Sequence, residues 1–65
     1  MHMIDQIHTT ATRNGITIVH SVYDKINDSI AIIVQGGIDQ AYLLYMRLND
    51  TSKMTVDYTS KSGHD

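Results

Sequence analysis

The sequence predicts an all-β fold: a small twisted antiparallel meander of about five strands, one domain over residues 1–59, with 60–65 as a flexible tail. Three observations predict it. An Asn14-Gly15 pair stands between two stretches rich in Ile, Val and Thr. Residues 29–35, "SIAIIVQ", are a β-branched run too short for a helix. Residues 54–59, "MTVDYT", alternate strictly between apolar and polar.

Taken in order, Asn14-Gly15 suits a two-residue type I′ turn, because both positions tolerate positive φ. That turn pairs residues 4–12 with 16–23 and sets Ala11 opposite Ile18 and Ile7 opposite Val22. "DKIND" at 24–28 is the next turn, rich in Asp and Asn. Gly36-Gly37 ends the third strand. Residues 40–49, "QAYLLYMRLN", contain good helix formers but no clean apolar period. We read them as a strand; the alternative is an α+β fold with residues 38–49 helical. "NDTSK" at 49–53 is a turn, and the last strand points Met54, Val56 and Tyr58 inward.

Composition narrows the function. A chain of 65 residues buries only about 60% of its unfolded surface, so small domains lean on disulfides, metals or partners. There is no cysteine, which removes disulfides and thiolate metal sites and fits a cytoplasmic protein. The formal charge is −2, a net acidity that does not suit binding nucleic acid through its phosphates. No apolar run approaches the ~20 residues that span a bilayer.

The expected faces point to assembly. One collects Ile16, Ile18, Val22, Ile30, Ile32, Val34, Leu44, Met46, Leu48, Met54 and Val56 as a core. The other carries Val19, Tyr23, Ala31, Ile33, Leu43 and Tyr45 where a solvated sheet would be polar. Val19, Ile33 and Leu43 are therefore the expected oligomer interface, most simply of a homodimer. Closure into a small barrel is the competing arrangement.

Chemistry-bearing residues are sparse. His20 lies between Ile18 and Val22 as a core histidine, and His8 falls on the opposite face, so the two share no metal. Every acidic residue is an aspartate, and Asp24 and Asp28 belong to a turn. Gly36-Gly37 lacks the spacing and the lysine of a phosphate loop. No nucleophile–base arrangement stands out, so no catalytic residue, metal or cofactor is expected. Tyr45, Arg47, Lys53, Tyr23 and Asp24 are the candidate ligand- or partner-binding residues, since Tyr and Arg recur at binding hot spots.

The stretch "IVHSVYDKINDSIAIIV", continued by "LYMRLNDTSK", resembles the phage uracil-DNA glycosylase inhibitor family over residues 16–53. The matches are Val19, His20, Tyr23, Asp24, Asp28 and Asp50. The resemblance implies a twisted antiparallel sheet of the kind small phage inhibitors use. It does not carry over the family's main contacts, because this chain has no glutamate, no proline and no counterpart of the acidic first strand.

The expected function is that of a small, non-enzymatic, homo-oligomeric phage or mobile-element protein that binds and antagonises a host protein through a sheet face or edge. The alternative is an oligomer that sequesters an anionic ligand such as a nucleotide. Tyr45, Arg47, Lys53 and backbone N–H groups near Gly36-Gly37 would hold it.

Overall fold

The expected first strand is a helix. In the computed structural model, which describes residues 3–59, Met3–Arg13 form α1. Ile4, Ile7 and Ala11 recur at helical spacing and turn one stripe to the core, with Ile7 and Ala11 buried. Asn14-Gly15 ends this helix instead of joining two strands. Gly15 takes a φ of 70°. Its N–H donates to Thr12 O at 3.2 Å, and Ile16 N–H donates to Ala11 O at 2.8 Å. These two bonds make a Schellman cap, and buried Ile16 and Ala11 supply the apolar pair that accompanies one.

Two strands follow. β1 (Ile18–Asp24) and β2 (Ser29–Val34) pair antiparallel. Asp24 shapes the turn between them. Its Oδ1 accepts from the N–H groups of Ile26 and Asn27 at 3.0 and 3.2 Å. Asp28 closes the turn at φ 53°, a left-handed position that Asp tolerates better than most residues.

Residues Ile38–Arg47 form α2, in place of the strand expected at 40–49. The helix weighed for 38–49 is the arrangement that forms. Gly36, at φ 110°, turns the chain, and Gly37 is the N-cap. Asp39 in the first turn and Arg47 in the last oppose the helix dipole favourably. Ala41 and Leu44 are buried. The exposed Tyr42 and Met46 blur the period in the sequence.

β3 (Met54–Tyr58) returns parallel to β2, so the sheet order is β1-β2-β3 with β2 central. The fold is therefore α+β, with two helices and three strands among the described residues, and not an all-β meander. The twisted, purely antiparallel sheet implied by the glycosylase-inhibitor resemblance is not the one that forms, which has three strands and a parallel pair. A parallel neighbour needs a crossover, and α2 is that crossover. The tail expected at 60–65 lies outside the described residues.

Both helices contribute to one core. Ile7, Ala11, Ile16, Ile30, Ile32, Val34, Ala41 and Leu44 make it up. Full burial of such a Leu or Ile side chain contributes about 1.5–3 kcal/mol. The expected core assignment fails for Val22 and Met46, which are both exposed. Val22 fails because β1 bulges: Ile18 pairs with Val34 but His20 pairs with Ile33, leaving Val19 as an extra residue. Beyond the bulge the alternation is inverted. Val22 lies opposite Ala31 and faces away from the helices, while Tyr23 lies opposite buried Ile30 and shares its face.

Candidate functional site

Three surface regions gather the residues that carry chemistry or exposed apolar area. The first lies at the hairpin end of the sheet. Tyr23 at the end of β1 donates its hydroxyl to Asp28 Oδ1 at 2.7 Å. Lys53, just before β3, donates Nζ to Asp28 Oδ2 at 2.9 Å. These groups border a cleft of about 430 Å³ that Met3, Ile30, Asp50 and Ser52 also line. The side-chain hydrogen bond from Lys53, reinforced by that from Tyr23, holds the Asp28 carboxyl below its ordinary range. The bond to Asp28 raises the Lys53 pKa and also that of the Tyr23 hydroxyl.

This arrangement is ill suited to acid–base or nucleophilic work. The carboxylate is ion-paired, and the tyrosine is held in its protonated, weakly nucleophilic form. Its evident role is to tie the hairpin turn to the start of β3, where Lys53 O also accepts from Ile30 N–H at 2.8 Å. Asp24 belongs to the turn itself. The side chain and the backbone N–H of Asn27 lower its pKa. Asp50 is lowered by the backbone N–H of Ser52, whose hydroxyl also donates to it at 2.8 Å.

The second region is the sheet face that no described helix covers. His20, Ile33 and Asp57 form one cross-strand row on it, and Val22, Ala31 and Thr55 form the next. Val19 and Val22 are 49% and 47% exposed.

The third region is a groove of about 200 Å³ between α2 and β3, lined by Ile38, Ala41, Tyr42, Tyr45, Val56 and Tyr58. Ile38, Tyr42 and Tyr45 share one flank of the helix through their i, i+4 and i+7 spacing.

The candidate residues are thus dispersed. Tyr23 and Lys53 meet through Asp28, with Asp24 in the adjoining turn. Tyr45 lies in the α2–β3 groove. Arg47 lines a separate cleft that runs along α1 and past the C-terminal end of α2, and Arg13 lines it too. The set proposed for a nucleotide, Tyr45, Arg47 and Lys53, lines three different depressions. Of the expected interface, Val19 belongs to the bulge of β1 and Ile33 to the uncovered face. Leu43 is a residue of α2, half-buried against the core. The supposed second apolar face is therefore not one face.

His8 is on α1, and its Nε2 is hydrogen-bonded to Ser21 Oγ at 3.1 Å. His20 is exposed on the open face, not in the core. Asp28 is the residue that sequence reasoning undervalued. Its signal was the Tyr-Asp-x-x-x-Asp spacing across a hairpin turn, which puts Tyr23 and Asp28 within reach of each other.

Among the described residues no three His or Asp side chains gather to hold a metal, and no helix is long and apolar enough to cross a membrane. No protein-family model, curated protein or solved structure matches this chain.

Proposed function

We propose that the chain is a non-enzymatic protein-binding module whose uncovered sheet face receives the partner. The observation that carries this reading is the exposure of Val19 and Val22 beside Ala31 and Ile33 on a sheet whose other face packs against both helices. Apolar area exposed this way on a small chain marks an interaction surface. Asp57 lies on the same face, in the row of His20 and Ile33. A complementary partner therefore presents apolar side chains bordered by Lys or Arg, whose charge steers the encounter. The narrower form, antagonism of a host protein by a phage or mobile-element product, has only the residue matches within 16–53 behind it, since the antiparallel sheet they imply does not form. It would use this same face.

Selection of a displayed peptide library on the immobilised chain tests the reading. Apolar peptides with flanking basic residues should be enriched. Val22→Asp should weaken their binding at least tenfold, and Asp57→Asn should weaken it less. Peptides that bind Val22→Asp as well as the parent would place recognition elsewhere and refute the proposal.

A further inference from the structure

We infer that two copies of this chain pair antiparallel through the free edges of their β3 strands, making one six-stranded sheet with α2 beside α2 on its helix-covered side.

The two edges of the sheet differ in how they are guarded. β1 carries the bulge at Val19, a common means of spoiling an edge for pairing. β3 is short but regular, with five consecutive register partners on β2 and no lysine, proline or bulge within it. Among the described residues no strand pairs with its outer edge. Lys53 O accepts from Ile30 N–H, and Thr59 N–H donates to Val34 O. Peptide groups at every second residue point the same way, so those of residues 53, 55, 57 and 59 address β2. The C=O groups of Met54, Val56 and Tyr58 address the free edge, together with the N–H groups of Val56 and Tyr58.

The strand is also complementary to itself. A two-fold axis at Val56 is the register that pairs all five strand residues. It sets Val56 against its own copy in a hydrogen-bonded pair. Thr55 then faces Asp57 of the second copy on the open side, where the hydroxyl can donate to the carboxylate. Met54 faces Tyr58 on the helix side, a favourable sulfur–aromatic pairing. Each unlike pair occurs twice by symmetry.

The flank of α2 completes the contact. Ile38, Tyr42, Tyr45 and Tyr58 are 55%, 62%, 43% and 39% exposed, and all line the groove that opens at this edge. At about 150–250 Å² for each aromatic side chain, they offer roughly 400 Å² per protomer before the strand itself is counted. The pair then buries on the order of 1,000 Å² in total, about the threshold for a biological interface and the size of a weak, reversible dimer. This contact uses residues distinct from the open face. Because the two-fold axis is perpendicular to the sheet, both open faces lie on one side of the dimer.

Sedimentation and oxidative cross-linking of the full chain test the inference. The parent should sediment at twice its 7.3 kDa mass at tens of micromolar. Tyr45→Lys with Tyr58→Lys should yield a monomer with an unchanged far-ultraviolet spectrum, whereas Val22→Asp should remain a dimer. The chain has no cysteine, so one can be introduced cleanly. A hydrogen-bonded cross-strand pair has Cα atoms about 5.5 Å apart, within disulfide reach. Val56→Cys should therefore cross-link on mild oxidation. Thr55→Cys should not, because its copy lies diagonally beyond ~7 Å. A monomeric parent, or a dimer abolished by Val22→Asp and indifferent to the tyrosine changes, would overturn the proposal. Faster cross-linking at 55 than at 56 would overturn the register.

Discussion

Gly15 tests how the first quarter of the chain is built. It is the C′ residue of α1 at φ 70°, and a Cβ placed there meets no atom within 4 Å. Substitution by Ala therefore introduces backbone strain without a clash. The left-handed conformation costs an L-residue about 1–2 kcal/mol. Reduced freedom of the unfolded chain returns about 0.4–1 kcal/mol. The net loss is about 1 kcal/mol, a large share of the ~3–10 kcal/mol available to a chain of this size. Urea denaturation followed by circular dichroism at 222 nm reads it. With a slope near 1 kcal/mol/M, Gly15→Ala should lower the midpoint by about 1 M. Gly15→Asn should recover part of that loss, because Asn tolerates the left-handed region. Asn14→Ala supplies the discriminating arm. A type I′ hairpin turn needs positive φ at both residues, so both substitutions would be equally harmful there. In the helix cap Asn14 is not at positive φ, and it contributes the bond from Nδ2 to Thr10 O at 2.8 Å. Its loss should be smaller than that of Gly15→Ala. A parent-like midpoint for Gly15→Ala, or an equal loss at Asn14, would refute the capping argument.

Leu44 is fully buried on α2, so Leu44→Ala should destabilise by about 2–5 kcal/mol in the same denaturation assay and come close to unfolding the protein. Gly36→Ala should lose about 1–3 kcal/mol from its φ of 110°, with a further part from the 2.9 Å approach to Gln40 Cγ; adding Gln40→Ala should restore only that further part. Stability should fall in acid. Asp24, Asp28 and Asp50 all have folded pKa values below the ordinary 3.8, so their contribution is present above that value and disappears as pH drops through the lowered ones. Asp28→Asn should flatten this acid limb in a series of melts against pH, only modestly because the Lys53–Asp28 pair is exposed. At the alkaline end Lys53 and Tyr23 are both raised. Their contribution is present below pH 10 and is lost above it, and Asp28→Asn should blunt that limb as well.

The parts of the fold legible in the sequence are those with local causes. Strand β2 follows from a β-branched run and β3 from strict alternation, and the Asp-bounded turn at 24–28 forms where its side chains predict. The helices were hidden for separate reasons. In α1 the threonines at 9, 10 and 12 and the Asn-Gly pair read as strand and hairpin, yet Ile4, Ile7 and Ala11 already carried the helical stripe. An Asn-Gly pair has two uses, a I′ turn or a left-handed helix end, and only the period before it distinguishes them. In α2 the exposed Tyr42 and Met46 filled the gaps in an otherwise regular i, i+3 pattern of Ala41 and Leu44. No local feature announced the bulge at Val19, which sorted Val22 and Tyr23 onto the wrong faces. The candidate site suffered accordingly. Tyr23 and Lys53 do converge, but on Asp28, and Tyr45 and Arg47 belong to other surfaces.

That bulge also links the two proposed surfaces. By adding one residue to β1 it turns Val22 out onto the uncovered face and supplies exposed Val19 beside it. The same irregularity breaks the ladder along the β1 edge, leaving β3 as the regular edge for strand pairing. Two copies joined at β3 would keep their bulged strands at the far edges of a six-stranded sheet, so growth stops at the dimer. An edge closed by symmetry and an edge blunted by a bulge would together let so short a chain expose apolar sheet surface without polymerising. The small monomeric core becomes intelligible in the same terms. Ile38, Tyr42, Tyr45 and Tyr58 lie outside the core of one chain, and pairing would enclose them in the core of two.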